Sequence, residues 1–188
     1  VDEFDGKSIQ TWVFKQDRDA GFYDFAEPTK KVLEFYSNYI GPFSYEKLAN
    51  IQSNSVSGGM EAASAILYSD KSVVGDRNKR WRNVVIHEIA HQWFGNLVTM
   101  KWWNDLWLNE SFATFMATKI VDKFYPEWDL WDQFLDDAML AAMSLDALKN
   151  SHPINVDVKH PAQIREIFDA ISYDKGGSVL RMLENYVG

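Results

Sequence analysis

The sequence predicts an α+β fold, with strands in the first part of the chain and helices in the rest. Short apolar runs typical of strands occur before residue 76, and apolar residues at helical spacing dominate after it. The chain has 188 residues, 46% of them hydrophobic, which is enough for one well-filled core but not for several. We therefore expect a single domain over residues 1–188, with a mixed sheet-containing lobe at 1–75 and a helical lobe at 76–188.

Three strands and one helix are predicted in the first lobe. Apolar runs at 8–15, 47–52 and 63–68 are typical of strands. Residues 28–40 carry apolar side chains at helical spacing, and the Gly-Pro pair after them ends a helix. The stretch at 53–59 is rich in Ser, Asn and Gly, so it is predicted to be a loop. These elements predict a βαβ-like or mixed sheet.

The second lobe is predicted to be mostly helical. Apolar residues at helical spacing predict helices at 78–94, 106–124, 127–149, 161–170 and 173–187. Pro126 ends the second of these helices because proline cannot continue a helix into its interior.

Composition narrows the classes of function. A formal net charge of −8 argues against binding to nucleic acid or to an anionic membrane, because both need clustered Lys and Arg. Since the chain has no Cys, a transition-metal site must be built from His and carboxylates. The sequence does not identify the compartment, but the lack of Cys and of a signal-peptide pattern favours a soluble, cytoplasmic protein.

The residues His87-Glu88-Ile89-Ala90-His91 indicate a metal site. On a helix, histidines at i and i+4 are separated by about 6 Å of rise and about 40° of rotation, so both rings can reach one ion. Glu88 lies roughly 100° around the helix from His87. It can therefore reach a water on the metal without binding the metal itself.

Glu110 is the expected third ligand, on the next predicted helix. Two neutral imidazoles, one carboxylate and one position left for water form a catalytic zinc set, and nitrogen ligands favour zinc over magnesium. The alternative is two histidines on a solvated helix, but the apolar face of the 78–94 helix argues against it. The sequence thus predicts one Zn²⁺ ion bound by His87, His91 and Glu110.

Several segments resemble the gluzincin zinc aminopeptidases, of the aminopeptidase N, leukotriene hydrolase and tricorn-interacting factor type. They are HEIAHQWFGN at 87–96, WWNDLWLNE at 102–110, GGMEA at 58–62 and ISYDKGG at 171–177. The resemblance covers roughly residues 20–188. It implies a thermolysin-like catalytic domain, with a small mixed sheet beside a mainly helical lobe and zinc at their junction.

The resemblance also implies the role of each site residue. His87, His91 and Glu110 would bind zinc, and Glu88 would deprotonate the zinc-bound water. Zinc lowers the pKa of its water towards about 7, so a nearby carboxylate can take the proton and pass it to the leaving amine. Tyr173 would donate a hydrogen bond to the oxyanion that develops on the attacked carbonyl.

A substrate-binding segment follows from the same resemblance. Gly58, Gly59 and Met60 would run alongside the peptide as an added strand, and Glu61 would bind its free α-amino group. Ala62 departs from the family pattern, in which asparagine is usual. The polar partner that holds this segment is therefore missing from its usual position.

A second departure concerns the support of the ligands. Thr114 stands where thermolysin relatives place an aspartate. Metal-bound imidazoles normally donate their other N–H to a carboxylate or a carbonyl. Either a backbone carbonyl or another acid must provide this support here.

These observations favour the catalytic domain of a zinc aminopeptidase that removes N-terminal residues from peptides with a free N-terminus. Two alternatives stay open: a zinc endopeptidase or broad hydrolase with poor amine recognition, and an excised or engineered zinc-binding domain with little turnover. Family members usually carry an N-terminal β domain and a C-terminal helical domain. Neither fits in 188 residues, so we expect a parent protein to supply them.

Overall fold

A computed structural model describes residues 1–75 and 79–188 of the chain. Five strands in these residues form one mixed sheet. The strands are β1 (Asp2–Phe4), β2 (Lys7–Trp12), β3 (Lys47–Ser53), β4 (Gly59–Met60) and β5 (Ala65–Ser69). Their order across the sheet is β1-β2-β3-β5-β4. The pairs β2/β3 and β3/β5 are parallel, and the outer strands β1 and β4 are antiparallel to their neighbours.

Two of these strands were not predicted. The strand β1 pairs with β2 through a two-residue turn, Asp5-Gly6, and such an Asp-Gly pair is a strong short-range signal for a hairpin. The strand β4 lies at the end of the predicted 53–59 loop and pairs with β5. Two residues are too short for any periodicity to be visible in the sequence.

The helices around the sheet are α1 (Arg18–Gly21), α2 (Glu27–Tyr39) and α3 (Lys79–Ala90), and a π-helical turn, Phe22–Ala26, joins the first two. The helix α2 lies between the parallel strands β2 and β3 in the chain, as a parallel pair requires a long crossover connection. It buries Val32, Leu33 and Tyr36, and it packs against α3.

The remaining helices are α4 (Leu106–Phe124), α5 (Leu130–Gln133), α6 (Leu140–Asp146) and α7 (Gly176–Val187). Helical turns of 3₁₀ type occupy Trp103–Asp105, Pro126–Trp128 and Pro161–Ile167, and π-helical segments occupy Phe134–Met139 and Ile171–Lys175. The predicted helix at 106–124 matches α4 at both ends. The predicted helix at 161–170 is instead a 3₁₀ helix that ends at Ile167.

The chain divides into two compact units, Val1–Leu97 and Val98–Gly188. The first unit holds the sheet and α1 to α3, and the second unit is helical in its described residues. The predicted α+β class is confirmed. The prediction of one catalytic domain with a lobe boundary at residue 75 stays a prediction.

Among the described residues, none of the helices has both the length and the apolar composition needed to cross a membrane.

Candidate metal centre

His87 and His91 lie close together at the end of α3. Their Nε2 atoms are 3.0 Å apart, and their rings meet edge to face with 4.7 Å between centroids. The backbone N–H of His91 still donates to the His87 carbonyl at 3.2 Å, so the helical spacing predicted for the pair extends to His91. His91 is buried, and His87 is partly exposed.

The carbonyl of Phe94 orients the ring of His91. His91 Nδ1 lies 2.9 Å from the Phe94 oxygen. A carbonyl oxygen only accepts hydrogen bonds, so Nδ1 carries the proton and Nε2, which faces His87 Nε2, is the ring atom that could bind a metal. This contact supplies the second partner that a metal-bound imidazole needs, and the partner is a backbone carbonyl.

The distance between the two Nε2 atoms fits a shared ion. Two imidazole nitrogens bound to one tetrahedral zinc at about 2.0–2.1 Å are about 3.3 Å apart. The 3.0 Å between His87 and His91 is close to that value. The histidine pair is therefore a donor set that could hold a metal ion.

Glu88 is buried beside the backbone of β4. A Cβ atom added to Gly59 would overlap the Glu88 carboxylate, so the strand can approach the carboxylate this closely only because residue 59 has no side chain. Carboxylate oxygens of Glu88 and Glu61 and a ring nitrogen of His91 all lie within 4.8 Å of one another. The first unit thus brings together the residues predicted as base, amine anchor and one metal ligand.

A buried polar network lies beneath this cluster. The Tyr68 hydroxyl donates to Asn50 Oδ1 at 3.1 Å, and it lies 3.4 Å from the Val85 carbonyl on α3. Burial, and to a smaller extent the charge of Glu88, raise the pKa of Tyr68 well above its usual value. Tyr68 therefore stays protonated and can donate a hydrogen bond.

The predicted substrate-binding segment contains the outer strand β4 of the sheet. Gly59 and Met60 form β4, which pairs with β5, and Ser69 N donates to the Gly58 carbonyl at 2.7 Å. The Met60 side chain is exposed and that of Glu61 is partly buried. Since β4 is the last strand in the sheet order, its second edge has no strand partner among the described residues.

Glu110 lies in the first turns of α4, in the second unit. It is 5% exposed, which is unusual for a carboxylate and typical of one with a polar or metal partner. The next residue, Ser111, donates from Oγ to the Ser172 carbonyl at 2.6 Å. The start of α4 is therefore tied to the segment that contains Tyr173.

Tyr173 lies in the π-helical segment Ile171–Lys175 and is partly buried. Asp169 holds the start of this segment, because its Oδ1 accepts from the N–H groups of Ile171 and Ser172 at 2.9 and 3.2 Å. Its Oδ2 lies 2.8 Å from Nε2 of His152. A Cβ atom on Gly176 would overlap Ser111 Oγ, which explains a glycine at the first position of α7.

Residues 25–188 match the model of the Peptidase family M1 domain. The chain belongs to peptidase family M1. This confirms the family predicted from the four motifs. The M1 chain is 49% identical over 170 residues to Tricorn protease-interacting factor F2 of Thermoplasma acidophilum. The match covers 86% of this chain and 22% of that protein.

Plant relatives show a similar likeness. The M1 chain is 47% identical over 167 residues to Aminopeptidase M1-C of Oryza sativa subsp. japonica, and 46% identical over 167 residues to Aminopeptidase M1 of Arabidopsis thaliana. Each match covers 84% of this chain and 19% of the relative. The M1 chain thus spans about a fifth of the length of these relatives.

Sequence reasoning missed several groups that support the site of the M1 chain. The Phe94 carbonyl orients His91, and the side chains of Gln92 and Asn96 both donate to the Glu61 carbonyl, at 3.2 and 2.8 Å. All three residues lie within the 87–96 motif. Their position next to the histidines was a signal, but the carbonyl that Gln92 and Asn96 share lies 31 and 35 residues away along the chain.

Proposed function

We propose that this chain is the catalytic domain of a zinc aminopeptidase, which hydrolyses the N-terminal peptide bond of peptides with a free N-terminus. The observation that carries the proposal is the cluster in the first unit. There the two histidine Nε2 atoms are 3.0 Å apart, and the carboxylates of Glu61 and Glu88 lie within 4.8 Å of each other and of His91.

His87, His91 and Glu110 are the proposed zinc ligands. The proposal is supported by the orientation of His91, whose Nε2 lies beside His87 Nε2, and by the burial of Glu110. When bound, zinc would polarise the scissile carbonyl and lower the pKa of the attacking water.

Glu88 is the proposed general base. Its carboxylate would take a proton from the attacking water and later deliver it to the nitrogen of the leaving amine. Burial of Glu88 against Gly59 restricts the positions that its carboxylate can take. A base held in one position loses less entropy on reaching the transition state.

Tyr173 is the proposed oxyanion donor. Its phenol would donate a hydrogen bond to the carbonyl oxygen as negative charge develops there. The hydrogen bonds from Asp169 to the start of the segment support this role, because they hold the backbone that carries Tyr173.

Glu61 is the proposed anchor for the α-amino group, with the peptide running along Gly58, Gly59 and Met60. A strand-like peptide adds to an unpaired sheet edge through main-chain hydrogen bonds, and within the described residues β4 offers such an edge. Anchoring the amine at Glu61, close to Glu88, would place the first peptide bond at the base. The parent protein would supply the flanking domains that complete the cleft.

The test combines metal analysis with two reporter substrates. We expect about one zinc per chain, and loss of hydrolysis after chelation that returns when zinc is added back. We also expect an amino-acyl reporter to be hydrolysed much faster than its N-acetylated form. Equal rates on the two reporters would favour the broad hydrolase, and a zinc-loaded protein that hydrolyses neither would contradict the proposal.

A further inference from the structure

The backbone of Glu61 leaves the sheet immediately after β4. The strand ends at Met60, and the chain then turns, with the Ala65 N–H donating to the Ala62 carbonyl at 2.9 Å. Ser64 in this turn has a left-handed backbone, with φ of 62°. Strand pairing therefore does not hold Glu61 in place, and its position depends on contacts outside the sheet.

The side-chain amide of Gln92 bridges this turn. Its Oε1 accepts from the Ser64 N–H at 2.9 Å, and its Nε2 donates to the Glu61 carbonyl at 3.2 Å. Asn96 Nδ2 donates to the same carbonyl at 2.8 Å. Gln92 is 1% exposed, so its hydrogen bonds form away from water, where losing a partner is costly.

Both amides are tied to a metal ligand through the backbone. Gln92 directly follows His91, and the Asn96 N–H donates to the His91 carbonyl at 3.0 Å. The turn that orients His91 through Phe94 therefore also carries the groups that hold Glu61. A displacement of this turn would move the metal ligand and the Glu61 backbone together.

We infer that Gln92 and Asn96 are positioning residues for Glu61, which set the distance between the amine anchor and the metal-binding histidines. The inference rests on the proposed role of Glu61. It also accounts for Ala62, which is exposed and has no polar side chain to supply the partner expected at that position. The amides of Gln92 and Asn96 supply it from the far side of the turn.

The test measures binding of two hydroxamates to the zinc-loaded protein by calorimetry. One is leucine hydroxamate, and the other is isocaproic hydroxamate, which is the same molecule without its α-amino group. The ratio is the dissociation constant of isocaproic hydroxamate divided by that of leucine hydroxamate. It reports amine recognition independently of turnover, and it falls when that recognition is lost. It is compared in the parent, in Gln92→Met, in Asn96→Leu and in Glu61→Gln.

Gln52→Met is the matched control. Gln52 is also a buried glutamine of the first unit, and it accepts from Phe14 N at 2.7 Å and donates to Asp17 at 2.8 Å. This change removes an equivalent bridge away from Glu61. If Gln92→Met does not fold, Gln92→Glu replaces it, because a carboxylate still accepts from Ser64 N but cannot donate to the Glu61 carbonyl.

We expect Gln92→Met to lower the dissociation-constant ratio about tenfold, with zinc content unchanged, and Gln52→Met to leave the ratio unchanged. Asn96→Leu should also lower the dissociation-constant ratio. The inference is overturned if Glu61→Gln abolishes the preference for the amine while Gln92→Met keeps it within about threefold of the parent. If Glu61→Gln itself leaves the preference unchanged, the proposed amine anchor is wrong and the inference fails with it.

Discussion

The backbone of Gly59 lies directly against the carboxylate of Glu88, so that a methyl group at residue 59 would overlap it. This contact places an outer strand of the sheet beside the proposed base. It also means that the strand and the base cannot be changed independently.

Gly59→Ala should therefore lower catalysis by displacing Glu88. A misplacement of about 1 Å typically costs up to about a hundredfold, so we expect kcat/KM to fall about ten- to a hundredfold while zinc content stays the same. Steady-state kinetics and metal analysis measure the two quantities. Gly177→Ala is the control, because an added Cβ there would be tight only against the end of the Phe134 side chain, at 3.3 Å, and would make an ordinary contact of 3.8 Å with the Ser111 carbonyl. Unchanged kinetics in Gly59→Ala would show that Glu88 tolerates the shift.

Glu88→Gln should abolish turnover and spare zinc binding. The amide has nearly the shape of the carboxylate but cannot accept the proton, and loss of a general base typically costs about a hundred- to ten-thousandfold. Single-turnover rates and zinc stoichiometry measure the effect. Hydrolysis at the parent rate would remove Glu88 from the mechanism.

Tyr173→Phe should lower the rate about a hundred- to a thousandfold, since losing one oxyanion donor costs about 2.7–4 kcal/mol of transition-state stabilisation. The fall should appear mainly in kcat, because the hydrogen bond forms as charge develops. Tyr186→Phe is the matched control, since Tyr186 is 89% exposed in the same unit. A change below about threefold would exclude Tyr173 from the site.

Asp174→Asn should stabilise the fold above neutral pH. Burial raises the pKa of Asp174 from 3.8 to about 6, so the folded chain binds this proton more tightly than the unfolded chain. Stability from this group is therefore lost as the pH rises between those two values. After allowance for partial exposure, we expect a gain of about 1–2 kcal/mol at about pH 7.5 and a smaller gain at about pH 5.

Denaturant unfolding at the two pH values measures this free energy. Asp132→Asn is the control, because Asp132 is exposed and should show no such difference. A gain that is larger at the lower pH would show that folding does not raise the pKa of Asp174.

Local patterns explain which elements the sequence predicts well. The helix α4 was predicted at both ends because its apolar residues follow the helical period and Pro126 stops the chain after it. The strand β4 was not predicted, since its two residues carry no period and its pairing with β5 depends on a turn between them. The 3₁₀ helix at Pro161–Ile167 has a similar sequence pattern to an α-helix, so only its backbone distinguishes them.

The sequence by itself determined the histidine pair, because residues four apart on a helix must share a face whatever surrounds them. It also determined the family, through motifs that can be read along the chain. Only the tertiary structure decided that Gly59 meets Glu88 and that Gln92 holds the Glu61 carbonyl. These contacts join residues about thirty positions apart, and helical or strand periodicity says nothing about partners at that separation.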